Sequence, residues 1–185
     1  MTEPDGELVQ RAASGDANAF AEIFRRYQHV VHRFARAMTR CPIAAQDVSQ
    51  DVFVTVLRDL TRYDPSRATF TSYLYGIVRN LSRERIRKER RFSPLEVLPP
   101  GSTHAIYLDD PCDALEGFEL TAQVRQALRK LPRPCREVIV LCDLHGFSYA
   151  DAAVVAGIST AAVRSRLHRG RRLLRLRLTR VLNNS

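Results

Sequence analysis

The sequence predicts an all-α protein: two small helical domains joined by a flexible acidic linker, the C-terminal one containing a helix-turn-helix. Three observations predict it. Apolar residues recur at spacings of three and four along most of the chain, and no alternating strand pattern or hairpin turn interrupts them. Positions 93–117 break that rhythm with Pro94, Pro99, Pro100, Gly101 and Pro111, and add Asp109, Asp110, Asp113 and Glu116, the composition of an extended tether. From Ser148 to Arg180, a helix of small residues, a glycine and an arginine-laced helix follow one another. The expected domains are therefore 1–92 and 118–185, with 93–117 between them.

Each element has its own warrant. Leu8–Ala13 forms a short helix that Gly15 interrupts. Asp16 caps the next, in which Phe20, Ile23, Phe24, Tyr27, Val31, Phe34 and Met38 line one apolar face up to Cys41-Pro42. A third helix from about Ile43 to Thr61 buries Val48, Val52, Val56 and Leu60. Tyr63-Asp64-Pro65-Ser66 has turn chemistry. A fourth helix begins near Thr69 with Phe70, Tyr73, Leu74, Ile77, Val78 and Leu81, then turns basic towards Arg91. Beyond the tether, helices are expected over Phe118–Lys130 and from Arg133 to about Leu144, separated by Leu131-Pro132.

The last two elements carry the most specific signal. Ser148 and Asp151 form a capping box in front of Ala152, Ala153, Val155 and Ala156, residues small enough for another helix to pack closely. Gly157 supplies the left-handed residue that ends this helix, and Ser159 caps the following one. There Val163, Leu167, Gly170, Leu174 and Leu178 repeat at helical spacing. The adjoining face holds Arg164, His168, Arg171, Arg172 and Arg175, and no Asp or Glu follows Asp151. A solvated helix face usually carries acidic partners for its arginines; a DNA-reading helix does not.

Composition agrees. A net charge of +9 and a pI near 10.0 suit a polyanionic partner, although charge alone fits an anionic membrane as well as nucleic acid. No apolar run approaches the ~20 residues needed to span a bilayer, and the acidic Met1-Thr2-Glu3-Pro4-Asp5 is unlike a signal peptide, so a cytoplasmic protein without membrane insertion is expected. Cys41, Cys112, Cys135 and Cys142 form no C-x-x-C array. Cys135, Cys142 and His145 could share a helix face for a metal or redox role, but Cys142 inside Val138-Ile139-Val140-Leu141 reads better as a buried hydrophobe. No metal, cofactor or catalytic residues are expected, since no phosphate-cradling glycine loop, ligand array or paired acid and base is present.

Two faces of the N-terminal domain also look functional. Asp47, Asp51, Val54 and Arg58 share a face of the third helix, with Gln50 beside them. Carboxylates repel phosphates, so this patch suits a protein partner or is simply a solvated face. On the fourth helix Asn80, Arg83 and Arg87 align, flanked by Arg79, Arg85, Lys88, Arg90 and Arg91, with Phe70, Tyr73 and Tyr75 at its start. Cations for phosphate, an amide for base edges and nearby rings suit partly single-stranded nucleic acid, while Phe70 reads better as core.

Taken together, Asp47-Val48-Ser49-Gln50-Asp51-Val52-Phe53 with Tyr73-Leu74-Tyr75-Gly76-Ile77-Val78-Arg79-Asn80 resembles region 2 of an extracytoplasmic-function (ECF) sigma factor of the sigma-70 family. Arg136-Glu137-Val138-Ile139-Val140-Leu141, Gly146–Ala153 and Val163-Arg164-Ser165-Arg166-Leu167 resemble region 4 of the same group. The resemblance implies a promoter-specificity subunit for core RNA polymerase. It implies that region 2 binds the β′ clamp helices through Asp47, Gln50, Asp51, Phe53 and Arg58 and opens the minus-10 element through Asn80, Arg79, Arg83, Arg87 and Tyr73. It implies that region 4 binds the β flap and reads the minus-35 element through Arg164, Ser165, Arg166, His168, Arg169 and Arg172, with Arg171 on phosphate or flap. An anti-sigma factor is a common partner in such a family. Tyr73 stands where the family usually has Trp. The alternative reading of Ser148–Arg180 alone, a free-standing dimeric helix-turn-helix repressor or activator, leaves the faces at Asp47 and Asn80 without a role.

Overall fold

The computed structural model describes residues 3–39, 41–92 and 122–182; the expected tether, and the residues before Ala122 in the helix expected from Phe118, lie outside the described residues. The N-terminal half comprises α1 (Asp5–Ala13), α2 (Ala17–Thr39), α3 (Pro42–Asp59) with a 3-10 turn over Leu60–Arg62, and α4 (Phe70–Phe92). The C-terminal half comprises α5 (Ala122–Arg129), α6 (Arg133–Ile139) running into a π-helical turn over Val140–Leu144, α7 (Tyr149–Ala156) and α8 (Thr160–Leu182). The described residues contain no strand.

Local chemistry sets the boundaries. Gly15, with φ at 93°, closes α1, and Asp16 Oδ1 then accepts from the amides of Asn18 and Ala19 at 2.9 and 3.2 Å. Those amides are among the four that a helix start leaves unpaired. Pro42 begins α3, where its missing N–H is harmless. Thr69 Oγ1 accepts from the Ser72 amide at 3.2 Å and caps α4.

In the N-terminal half, α2 is the central element and contacts α1, α3 and α4. Its buried stripe is Ile23, Tyr27, Val31, Phe34 and Met38, and it meets Val48, Val52 and Val56 of α3 and Phe70, Leu74 and Val78 of α4. Side chains of this size each stabilise the fold by about 1.5–3 kcal/mol when fully buried. Phe24, expected in the stripe, is instead 42% exposed and meets Phe53 edge-on with ring centroids 4.7 Å apart. One residue beyond Ile23, it lies about 100° round the helix from the buried line.

The halves do not stand apart. α7 packs on α4, α6 approaches α2, and a single apolar core runs from Leu8 to Leu167. Within the C-terminal half, α8 crosses α6 at Gly170, where an added Cβ would lie 2.7 Å from Ile139 Cδ1 and 3.1 Å from Cys135 Cβ. The glycine is what permits that approach.

Candidate nucleic-acid interface

The helix-turn-helix forms as its residues dictate. Ser148 Oγ accepts from the Asp151 amide at 3.1 Å and donates its own proton to the Asp151 carboxylate at 2.6 Å. Gly157 takes φ 60°, ψ 45°, and the amide of Ile158 returns to the Ala153 carbonyl at 3.1 Å, which sets the angle between α7 and α8. Ser159 Oγ accepts from Ala162 N at 3.2 Å and starts α8. Val163, Leu167 and Gly170 then face inward, while Arg164, Ser165, His168, Arg169 and Arg172 are exposed and Arg166 is half-buried.

Arg171 differs from its neighbours. Its Nη2 and Nε donate to Asp143 at 2.6 and 3.0 Å, so an acidic partner absent from the sequence after Asp151 arrives from the π-helical turn. This pair, with Tyr149 nearby, pushes the Arg171 guanidinium further up from its usual value. Among the described residues, Arg164, Arg169 and Arg172 form no ion pair.

On α4, Asn80, Arg83 and Arg87 are exposed along one face. Asn80 stands at a cleft of about 350 Å³ whose other walls include Tyr63, Arg67, Ser72, Tyr73 and Gly76. That volume falls in the range of small-ligand pockets, about 300–1,000 Å³. Tyr63 and Tyr73 face each other with centroids 5.3 Å apart, and Tyr63 donates to the Ala68 carbonyl at 3.0 Å, fixing the loop that forms the cleft's rim. Val154 and Val155 of α7 supply the remaining wall.

Two residues expected near this face lie elsewhere. Tyr75 is buried, not beside an open loop: its ring packs on Phe34 and Phe147, and its hydroxyl meets His145. Arg79 is drawn inward to the C-terminal half, pairing through Nε with Glu137 and donating from Nη2 to the Ala156 carbonyl at 2.5 Å. Phe70 is core, as its position suggested, at 3% exposure.

The acidic face of α3 is also more varied than expected. Asp51 and Gln50 are exposed, but Asp47 accepts from Arg85 of α4 at 2.9 Å, and Arg58 pairs with Asp59 at 2.9 Å. Phe53 is 6% exposed and supports the face from beneath. What reaches solvent beside the charges is apolar: Val54 is 63% and Leu57 62% exposed, and Phe24 joins them through Phe53. Leu57 was unremarked in the sequence, although its place three residues after Val54 put it on the same face.

The seam between the halves buries charge. Arg136, inside an apolar helix, is 3% exposed and donates from Nη2 to the Met38 carbonyl of α2 at 3.3 Å; the sequence gave no sign of this reach. His145 is held neutral, its pKa lowered to about 4 by burial and by the nearby Arg33 charge. The three residues considered for a metal or thiol site are not gathered: Cys135 abuts Gly170, Cys142 is only half-buried, and His145 turns to Tyr75. Among the described residues no group of three or more His, Cys, Asp or Glu is arranged to hold a metal, and no helix is long and apolar enough to cross a membrane.

Known proteins share this arrangement. The Sigma-70 region 2 family matches residues 23–92, and the Sigma-70 region 4 family matches residues 121–174. The chain is 32% identical to the ECF RNA polymerase sigma factor SigE of Mycolicibacterium smegmatis, over 94% of this chain and 67% of that protein. It is 34% identical to the ECF RNA polymerase sigma factor SigM of Mycobacterium tuberculosis, over 93% and 84% respectively. Among solved structures it resembles CnrH, determined in complex with the cytosolic domain of CnrY, at 30% identity and a TM-score of 0.68 across 95% of this chain and 97% of that one.

Proposed function

Because the chain belongs to the ECF RNA polymerase sigma factors, non-enzymatic initiators of transcription, we propose a division of that task among its three faces. Residues 1–92 recruit core polymerase and engage the minus-10 element, 93–117 connect, and 118–185 read the minus-35 element. The observation that carries this is the contrast on α8: Arg164, Ser165, His168, Arg169 and Arg172 are exposed in one band while their neighbour Arg171 is neutralised by Asp143. Such a band suits duplex DNA, where arginine forks meet guanine edges and phosphates, with Arg166 at its margin.

On α4, Asn80 beside the aromatic cleft would receive a base flipped from the non-template strand, with Arg83 and Arg87 on the phosphates. Extruding a base costs a few kcal/mol of stacking, which stacking against Tyr73 and hydrogen bonds from Asn80 would offset. On α3, Asp51, Gln50, Val54 and Leu57 combine carboxylate and apolar contact, the chemistry of a protein interface centre with a charged rim, and fit the β′ clamp helices; Asp47 and Arg58 belong to the rim. The basic end of α8 suits the β flap. A cytoplasmic setting follows from these partners, and an anti-sigma protein is a further expected partner, as CnrH is held by the cytosolic domain of CnrY.

The test is transcription from a pool of randomised promoters by core polymerase with and without this chain, followed by sequencing of the transcript starts. Starts that depend on the chain and share two spaced elements are expected. Tight, sequence-specific duplex binding by a dimer of the free chain, with no effect on polymerase, would overturn the assignment.

A further inference from the structure

Arg79 immediately precedes Asn80 on the helix assigned to single-stranded DNA, yet its side chain is only 14% exposed. It is captured by Glu137, itself 5% exposed, and by the Ala156 carbonyl, one of those that the end of α7 leaves unpaired. Val154 and Val155 of the same short helix wall the cleft on which Asn80 stands. A strand entering that cleft needs room on both sides of the flipped nucleotide, and α7 occupies one of them.

We propose that this seam is an autoinhibitory latch: in the free chain α7 and Glu137 hold Arg79 and crowd the Asn80 cleft, so single-stranded DNA gains α4 only when the halves part. The inference rests on the assignment of α4 to the minus-10 strand. Its asymmetry is informative. The exposed band of α8 faces away from the seam and remains free in the closed arrangement, so the latch withholds strand capture while leaving duplex reading available.

The seam is also built to release. Its specific contacts are polar: Arg79 to Glu137 and Ala156, Tyr75 to His145, and Arg136 to the Met38 carbonyl. Burying such groups carries a desolvation penalty that their pairing only partly offsets, and water satisfies each of them on opening. Residues 93–121 connect the halves and, extended, could reach roughly 90 Å, so parting requires neither half to unfold. If the competent form is a fraction of the population, the observed affinity for a strand is reduced by that fraction.

The experiment uses the full chain, small-angle X-ray scattering for its dimensions, and fluorescence anisotropy with a labelled mixed-sequence single strand of about twelve nucleotides at fixed salt. Glu137→Gln should enlarge the radius of gyration and tighten strand binding about fivefold or more, while binding to a mixed-sequence duplex stays within about twofold. Should circular dichroism show that Glu137→Gln unfolds the C-terminal half, Tyr75→Phe, which removes only a hydroxyl, is read instead and should shift both quantities in the same direction. If the wild type and the opened variant bind the strand equally, the latch is overturned and the α4 assignment stands. If neither binds it, the α4 assignment fails and the latch with it. A wild-type chain already extended in solution also overturns the latch.

Discussion

The Tyr75 hydroxyl lies 2.8 Å from Nδ1 of His145, a contact between residues 70 positions apart that joins α4 to the turn leading into α7. Both partners are buried, and burial acts on them in opposite directions: it raises the phenol pKa and lowers that of the imidazole to about 4. The seam therefore selects two neutral rings. Phe34 of α2 and Phe147 pack around them, and Arg33 of α2 is the charge that most disfavours an imidazolium there.

It follows that acid should open the seam. An exposed histidine titrates near 6.5, so below that pH the parted form takes up a proton that the closed form resists until about pH 4. Closure is fully supported above pH 6.5 and weakens as pH falls through the window between the two values, by at most about 3 kcal/mol. Scattering at pH 7.5 and 5.5 should show the open-to-closed ratio rising about tenfold at the lower pH. His145→Phe should flatten the profile; an unchanged profile would mean that carboxylates, not His145, set it.

Two glycines should respond oppositely to alanine. At Gly170 a new Cβ strikes Ile139 and Cys135, both buried, and overpacking of this kind costs about 1–3 kcal/mol against a helix-propensity gain of about 1 kcal/mol. At Gly76 nothing lies within 4 Å, so only the gain applies. Thermal unfolding should place Gly170→Ala below the wild type and Gly76→Ala above it.

These cases mark what the sequence made legible. The caps at Asp16, Ser148 and Ser159, the left-handed Gly157 and the buried line from Val163 to Gly170 are local: a helix's own periodicity and termini decide them. The partners of Arg79, Arg136, Arg171 and Tyr75 were not legible, because each comes from another element and periodicity gives a face without saying what covers it. Phe24 shows the same limit: its spacing fitted the apolar stripe, but the packing of α3 left it at the stripe's edge with Phe53.

The α3 face gives a third prediction. Asp51→Arg should abolish co-elution with core polymerase in gel filtration, and Leu57→Ser should weaken it several-fold. Both residues are exposed, so neither change should alter the circular dichroism spectrum. Retained binding by Asp51→Arg would move the polymerase contact off this face.

Asn80 permits a kinetic separation. Removing its amide should impair promoter opening more than initial binding, because a flipped base exists only in the open complex. A loss of about tenfold in opening, near 1.4 kcal/mol, is expected for Asn80→Ala in permanganate footprinting, with closed-complex binding nearly unchanged. Equal losses in both would instead assign Asn80 to ordinary duplex contact.

Arg164 and Arg171 lie two turns apart on α8 and should behave differently despite their shared chemistry. Arg164 is unpaired at the exposed start of the helix, where reading helices present side chains to base edges, so Arg164→Ala should cost about 1–3 kcal/mol at one promoter position. Arg171 already spends its guanidinium on Asp143, a surface pair worth about 0.2–1 kcal/mol to the fold. Its removal should lower stability slightly and leave promoter preference alone. Asp143→Asn sharpens the comparison, since it releases a cation beside the DNA band and should strengthen binding to all duplexes alike, with a steeper salt dependence. Binding measured against a panel of single-base promoter variants at two salt concentrations separates these patterns: position-specific loss for Arg164, near-silence for Arg171, and uniform gain for Asp143.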